Sequence, residues 1–166
     1  MMKKYINLTL LLMGIVLFSA CSKEDIPMTS TVDLAGEWMV TVDVIDGDQV
    51  YEDGYGLGQM LWITYNTNKD DGKEIWLDDL GSFWETKVKV PCDIAALTFG
   101  ASTPLPNEYY DCDITVTGGK VTFGGTLTPS GMPADKFECY ITYSDDDAGY
   151  KYYVHGYRRT GFVADE

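Results

Sequence analysis

The sequence has few of the residues that metal sites require. Its 166 residues include a single histidine, His155, and only four cysteines. No Cys-x-x-Cys pair occurs, so neighbouring residues cannot supply the cysteine and histidine sets typical of zinc sites. Acidic residues are abundant, but their spacing selects neither a calcium-binding loop nor a pair of glycosidase carboxylates. The sequence therefore predicts no metal site and no cofactor.

A hydrolytic triad is also missing from the sequence. Such a triad needs a nucleophile, a histidine base and an orienting acid in contact, and no Gly-x-Ser-x-Gly elbow is present. His155 shares the expected outer face of the last predicted strand with Tyr153 and Tyr157. We interpret it as a partly exposed strand residue, and the sequence predicts no catalytic residue.

Positive charge is scarce. The chain has 12 Lys and Arg residues against 26 Asp and Glu residues, which gives a formal net charge of −14 at pH 7. A surface of this sign repels the phosphates of nucleic acids and the head groups of anionic lipids. We therefore expect no nucleic-acid partner and no membrane binding through a basic patch.

The longest apolar run is too short for a membrane-spanning helix, which takes about 20 residues. This run, residues 6–18, follows two lysines and precedes Ser19, Ala20 and Cys21. The arrangement resembles a bacterial lipobox, whose cysteine becomes the lipidated first residue of the mature protein. The resemblance implies a signal peptide over residues 1–20 and lipidation of Cys21. An ordinary secretory signal with an unrelated cysteine is the alternative.

Three charged residues follow the cysteine closely. Lys23, Glu24 and Asp25 resemble the export signal of surface lipoproteins in Bacteroidetes, with the charged start of a solvated linker as the alternative. Residues 21–31 are expected to form the lipidated cysteine and a polar tether, and residues 32–166 a single folded domain. The expected location is the outer membrane, with the domain exposed at the cell surface.

Beyond the tether, apolar and polar residues alternate with a period of two, which is typical of strands with one buried face. The alternation is clear in GEWMVTVDV, WETKVKV and FECYITY, and GYKYYVHGYRR predicts a last strand. No stretch shows the spacing of a capped amphipathic helix. Regularly spaced strands predict an all-β domain, an antiparallel up-and-down barrel of about eight strands, with a β-sandwich as the alternative.

The stretch DITVTGGKVTFGGTL predicts a hairpin. Gly118 and Gly119 can adopt the positive φ angles of a two-residue turn. Val121 and Phe123 then follow the turn in the second strand, and we expect Phe123 among the inward residues.

Closure of a barrel places the beginning of the first strand beside the end of the last. The beginning carries Trp38, and the end carries Arg158 and Arg159. Even-numbered residues of the last strand share the expected inward face, so Arg158 should lie over the Trp38 ring, with Gly156 leaving room. Such a contact contributes about 0.5–2 kcal/mol, and the remaining guanidinium donors can bind carbonyls. Trp38 and Arg158 are predicted to form a structural plug.

The Gly-x-Trp of the first strand and the arginine near the end of the last strand resemble the lipocalin, or calycin, signature. Together with the leader and the stretches GYRRTGF and TVTGGKV, they resemble a Bacteroidetes family named lipid-binding putative hydrolases, over essentially the whole mature chain. The resemblance implies a calycin-like barrel on the cell envelope with a lipid ligand, and the family name implies a hydrolase.

Bulky residues expected inside the barrel define a candidate ligand site: Trp84, Phe123, Ile141, Tyr143 and Tyr152. An eight-stranded barrel holds either one small ligand or a plug of side chains, and the sequence leaves both open. We expect a surface-anchored protein that binds a lipid or small apolar ligand without catalysis. The alternatives are an accessory subunit of an envelope complex with a packed barrel and, third, a lipid-acting hydrolase.

The three cysteines of the folded domain are widely spaced. Cys139 falls in an inward phase and is predicted to be a buried apolar residue. A disulfide between Cys92 and Cys112 is one alternative for an exported protein, and free thiols are the other.

Overall fold

The structure is a computed structural model that describes residues 27–166, and its framework is made of strands. The predictions for Cys21, Lys23, Glu24 and Asp25 lie outside the described residues. Within residues 27–166, no helix has the length and apolar character needed to span a membrane. A 3₁₀ turn, Val163–Asp165, follows the last strand. The strands are β1 (Gly36–Asp46), β2 (Gln49–Tyr51), β3 (Met60–Asn66), β4 (Glu74–Asp78), β5 (Lys87–Asp93), β6 (Thr98–Phe99), β7 (Leu105–Pro106), β8 (Asp113–Leu127), β9 (Pro133–Tyr143) and β10 (Tyr150–Arg158).

The strands form one closed antiparallel barrel. Eight strands pair around it in the order β1, β3, β4, β5, β6, β8, β9 and β10, and β10 closes the ring on β1. The short strands β2 and β7 pair with β1 and β8. The predicted all-β, up-and-down barrel is therefore confirmed, and the sandwich alternative is wrong. A lipocalin-like architecture fits this arrangement.

The barrel interior is built by the alternation seen in the sequence. Alternate residues of β1 from Trp38 to Val44 are buried, as are those of β9 from Phe137 to Tyr143. On β3 the inner face carries Trp62, which has no exposed surface. Removal of these apolar side chains from water is the main force that stabilises the closed wall.

The predicted hairpin at Gly118 and Gly119 is wrong. Both glycines lie within the single strand β8, where the register to β9 shifts between Thr117 and Lys120. The chain is bulged there rather than reversed, with Gly118 at a φ of 61°. Phe99 of β6 pairs with Gly119, where a Cβ would collide with the Phe99 carbonyl and ring. The glycine pair thus permits a bulge and a close backbone approach.

The prediction that Phe123 points inward is also wrong, because its side chain is 54% exposed. A second irregularity separates Thr122 from Thr126 in the pairing of β8 with β9. In addition, β10 pairs with β9 only as far as Lys136, the partner of Thr122. Phe123 therefore lies beyond the rim of the closed wall and does not belong to the candidate interior site.

The antiparallel order gives the barrel two distinct ends. We refer to one as the Arg158 end, where β1, β4 and β9 begin and where β3, β5, β8 and β10 end. The opposite end, where β10 begins and β9 ends, is the Tyr152 end. The two ends carry different side chains and differ in how they are closed.

Candidate functional site

The Arg158 end is closed by a cation–aromatic contact. Strand pairing sets Arg158 opposite Trp38, and the guanidinium carbon lies 4.4 Å from the centroid of the indole. Nη1 of Arg158 donates to the Ala35 carbonyl at 2.7 Å. The indole stacks on Phe137 with centroids 5.1 Å apart, and its Nε1 donates to Thr64 Oγ1 at 2.8 Å. These contacts plug this end of the barrel.

Two features around Arg158 differ from the sequence prediction. Its Nε donates to Asp135 Oδ2 at 2.9 Å, which forms an ion pair that the sequence did not indicate. Room for the guanidinium comes from Gly36, where a Cβ would collide with Nη1, rather than from Gly156. A Cβ on Gly156 would instead strike the Met39 carbonyl of the neighbouring strand. Both glycines thus permit close approaches that a side chain would prevent.

The C-terminal turn is held against the β8–β9 turn by Asp165. This buried carboxylate accepts hydrogen bonds from the Ser130 backbone N–H at 3.0 Å and from Thr160 Oγ1 at 2.7 Å. Hydrogen bonds from Ser130 and Thr160 lower the pKa of Asp165 to about 2. The Tyr157 hydroxyl donates to the Asp165 carbonyl. The chain after β10 is therefore fixed to the Arg158 end.

Aromatic rings fill the Tyr152 end. Trp84 stacks on Tyr143 with centroids 5.0 Å apart, and each of these rings lies 5.7 Å from Tyr152. Phe83 makes an edge contact with Tyr152 at 5.1 Å. Tyr55, from the β2–β3 loop, contacts Phe83 at 6.1 Å and is 52% exposed. The structure therefore brings three of the predicted ligand-site residues together and packs them against one another.

The hydroxyl groups of this cluster are held by hydrogen bonds. The Tyr152 hydroxyl donates to Asp146 Oδ2 at 2.5 Å, and the Tyr143 hydroxyl lies 2.7 Å from Thr86 Oγ1. Burial raises the pKa of both Tyr143 and Tyr152, so both hydroxyls stay protonated. Ile141, the remaining predicted residue, is fully buried beside Tyr152 in the strand pairing.

The loop between β4 and β5 carries Phe83 and Trp84 into the barrel. The predicted strand WETKVKV begins only at Lys87, because Glu85 adopts a φ of 47°. Asp79, which has no exposed surface, accepts four backbone hydrogen bonds of 2.7–3.1 Å from this loop. Burial raises the pKa of Asp79, and the backbone donors oppose that rise. The four donors are the N–H groups of Gly81, Phe83, Trp84 and Thr86.

An open groove of about 580 Å³ lies on the outer face of the barrel wall beside the β8 bulge, and we call it the side cavity. Its lining is more apolar than polar and comes from the end of β5, from β6 with the residues after it, and from the bulge itself. Phe99 forms part of its floor and is only 4% exposed, since its ring stacks on Phe137 in the core at 5.4 Å. The side cavity therefore lies directly over the core.

His155 lies on the outer wall of the barrel, as expected. Its Nε2 is 3.1 Å from Asp43 Oδ2, and its ring stacks on Tyr153 at a centroid distance of 4.7 Å. It borders a second cavity of about 330 Å³, which Thr41 and Lys136 also line. In the part of the chain that the structure describes, no Ser, Thr or Cys side chain hydrogen-bonds to the imidazole. His155 and Asp43 thus form a pair without an activated nucleophile.

The three cysteines of the domain are free thiols, so the disulfide between Cys92 and Cys112 is not formed. Burial and the neighbouring acidic groups Asp71, Asp93 and Glu74 raise the pKa of Cys92. Burial likewise raises the pKa of Cys139, which has no exposed surface. Neither thiol is activated as a thiolate nucleophile at neutral pH. Residues 27–166 also contain no cluster of three or more His, Cys, Asp or Glu side chains placed to hold a metal ion.

The family assignment agrees with this geometry. Residues 23–163 match the family described as "Lipid-binding putative hydrolase". The chain belongs to this family. The family resemblance predicted from the sequence is thereby confirmed, and a lipid-binding family and a closed β-barrel both fit lipid binding. A comparison of the chain with curated proteins finds no match.

Several residues of the barrel were missed by the sequence prediction. Phe83 and Tyr55 join the aromatic cluster from loops, where no alternation marks them. Asp79 holds the Phe83 loop through backbone donors far from any recognisable motif. The position of Phe99 depends on β6, a strand of only two residues. The glycine pair of β8 was a usable signal, because paired glycines also mark bulges where another strand approaches.

Proposed function

We propose that this chain is a lipid-anchored envelope protein that binds a lipid or another small apolar ligand and catalyses no reaction. Membership of a lipid-binding family supports the ligand class. The observation that carries the proposal is the apolar side cavity, about 580 Å³ in volume, in the wall of the barrel. Cavities of roughly 300–1,000 Å³ with mainly apolar linings and a few polar groups are typical of small-molecule sites.

The anchor is proposed from the sequence around Cys21. A short apolar segment that ends in Ser19, Ala20 and Cys21 supports cleavage and lipidation at the cysteine. Several acyl chains together make a stable membrane anchor, at about 0.8 kcal/mol for each buried methylene. Lys23, Glu24 and Asp25 support export to the cell surface, so the barrel itself needs no affinity for the membrane.

The absence of catalysis is proposed from the state of the candidate nucleophiles. His155 is engaged by Asp43 and Tyr153 on the outer wall, where it supports strand packing. The raised pKa of Cys92 keeps that thiol protonated, although it borders the side cavity. Hydrolysis would need an activated nucleophile near a bound ester. Neither His155 nor Cys92 would supply one to a ligand in the side cavity.

The filled aromatic cluster favours a second candidate function. Trp84, Tyr143 and Tyr152 pack against one another, and Phe83 closes the space among them. A barrel packed in this way also suits a structural or accessory subunit of an envelope complex. In that role the protein would bind a partner protein and no lipid.

An apolar fluorescent probe tests the proposal on the full chain carrying Cys21→Ala, which lacks the lipidation site. We expect the probe to bind and to be displaced by fatty acids or similar amphiphiles. Ester hydrolysis should stay at background, and His155→Ala should change neither measurement. Turnover that His155→Ala abolishes would establish the hydrolase instead. No probe binding would favour the accessory subunit.

A further inference from the structure

The side cavity exists because of how β6 and β8 meet. β6 has only two residues, and Gly119 lets the Phe99 backbone and ring approach β8 closely. After β6 the chain is held to β8 by the Ala101 N–H, which donates to the Val116 carbonyl at 2.7 Å. The side cavity is therefore an open groove on the outer face of the paired strands, and small residues border it. The floor of the side cavity is apolar, with Pro91, Phe99 and Ala101 in the lining.

Opposite charges stand on either side of the apolar floor. Asp93 of β5 pairs with Thr98 of β6, and Thr98 pairs with Lys120 of β8. Directly paired residues of neighbouring strands point to the same face, and strands lie about 4.8 Å apart. Asp93 and Lys120 therefore share the outer face with their Cα atoms about 10 Å apart. All three residues line the side cavity.

Both charged groups are available to a ligand. Within the described residues, Asp93 and Lys120 belong to no ion pair. Lys120 lies opposite Glu138, but that carboxylate is engaged by Lys136 at 2.6 Å and by the Tyr153 hydroxyl at 2.7 Å. Asp93 accepts one hydrogen bond with Oδ1, from the Ala96 N–H at 3.1 Å, and its Oδ2 remains available.

We propose that the side cavity binds an amphiphile whose head group is zwitterionic. The anionic part of the head pairs with Lys120, the cationic part pairs with Asp93, and the apolar chain lies against Phe99, Ala101 and Pro91. A purely anionic head would be attracted by Lys120 but repelled by Asp93 and by the net charge of −14. A head with both charges satisfies both side chains. This inference rests on the proposed lipid-binding function and specifies its ligand class.

Two single-chain lipids distinguish the head groups, lysophosphatidylethanolamine (zwitterionic) and lysophosphatidylglycerol (anionic). Both are titrated below their micelle concentrations into the full chain carrying Cys21→Ala, with displacement of the apolar probe as the readout. We expect the zwitterionic lipid to bind more tightly. Lys120→Gln should weaken its binding about five- to tenfold, because a charge-assisted contact is lost. Asp93→Asn should shift the preference toward the anionic lipid.

Matched substitutions away from the cavity serve as controls. Lys69→Gln and Asp48→Asn make the same chemical changes at exposed turn positions and should leave binding unchanged. Ala101→Trp should block the apolar floor and reduce binding of both lipids more than tenfold. Thermal unfolding checks that this variant folds. If Ala101→Trp does not fold, the exposed variants Lys120→Gln and Asp93→Asn still test the site.

Each outcome bears on a different claim. If the Cys21→Ala chain binds no amphiphile, the proposed function fails and this inference fails with it. If it binds amphiphiles with the same affinity when Lys120, Asp93 or Ala101 is changed, the proposed function stands and the side cavity is not the site. Equal binding of the two lipids, unaffected by Asp93→Asn, would overturn the zwitterionic head group.

Discussion

At the scale of single residues, Arg158 contacts three groups at the Arg158 end. It lies over Trp38, donates to the Ala35 carbonyl and pairs with Asp135. Arg159, the next residue, pairs only with Glu37 and Glu166 at the surface. Two adjacent arginines therefore have very different environments, which makes them a matched pair for mutation.

We expect Arg158→Ala to lower the free energy of unfolding by about 1–3 kcal/mol, from the lost aromatic contact and the carbonyl left without a donor. Arg159→Ala should cost much less, since its ion pairs lie at the surface and are screened by solvent. Denaturant unfolding of the two variants measures the difference. Equally mild effects would show that the plug does not stabilise the barrel.

Asp165 makes stability depend on pH. Its folded-state pKa of about 2 lies below the ordinary value of 3.8. A lowered carboxyl pKa contributes stability above the unfolded value, and that contribution is lost as pH falls through about 2. Thermal midpoints between pH 5 and pH 2 should therefore show Asp165→Asn less stable at pH 5, with the gap to the unsubstituted protein closing toward pH 2.

Asp48→Asn, in the exposed β1–β2 turn, is the control for this pH series. It should track the unsubstituted protein over the whole range. A gap for Asp165→Asn that stays constant from pH 5 to pH 2 would contradict an ionised, hydrogen-bonded Asp165.

The sequence reveals pairs of residues at this scale only when strand pairing dictates them. The contact of Trp38 with Arg158 follows from antiparallel closure and from alternation on two strands. Asp135 lies near the start of β9, at the second irregularity in its pairing with β8, and Asp165 lies in the 3₁₀ turn after β10. Alternation along a regular strand therefore places neither side chain. That is why the ion pair of Arg158 with Asp135 could not be predicted.

At the scale of elements, the β4–β5 loop is the least predictable part of the barrel. Its two aromatic residues enter the interior because Asp79 accepts four backbone N–H groups. The buried Asp79 carboxylate therefore fixes the backbone conformation of the loop. The loop in turn closes the Tyr152 end over Tyr143 and Tyr152.

We expect Asp79→Ala to destabilise the protein by about 3 kcal/mol, because one buried and three part-buried N–H groups lose their acceptor. Asp79→Asn keeps one acceptor oxygen and should cost less. Denaturant unfolding measures both, and a red shift of tryptophan emission should report release of Trp84 from the cluster. Two equally small effects would mean that the loop is held by its rings alone.

The inward residues of a strand can be predicted here only where buried and exposed residues alternate without interruption. β1 and β9 alternate without interruption, so their inward residues could be read from the sequence. In β8 the buried positions change parity at the glycine bulge, from Val116 to Val121, and a second irregularity then carries Phe123 past the rim. Each bulge resets the phase, so residues beyond it cannot be placed by counting.

At the scale of the whole molecule, one end of the barrel is plugged by charge and hydrogen bonds and the other is filled by rings. The side cavity is instead an opening on the outer wall, over the two-residue strand β6. This opening arises from the approach of segments about twenty residues apart in the sequence, such as Phe99 and Gly119. Alternation predicts the closed barrel, but it contains no information about a groove on the outer wall.

The net charge of −14 also acts at this scale. It disfavours adsorption of the barrel to anionic surfaces, so membrane attachment is left to the proposed lipid on Cys21. The ligand and the anchor are then separate lipids, one held by the folded domain and one bonded to the chain. A measurement that distinguishes a covalent lipid from a noncovalent one tests both.

Native mass spectrometry of the intact protein, released gently from membranes, tests the central claim most directly. The account predicts a chain with a covalent lipid at Cys21 and one further, noncovalently bound lipid. The mass of the bound lipid should match a lipid with a zwitterionic head group, and this lipid should be lost when the same sample is denatured. A native mass that equals the denatured mass would contradict lipid binding. A complex with another protein and no lipid would establish the accessory subunit in its place.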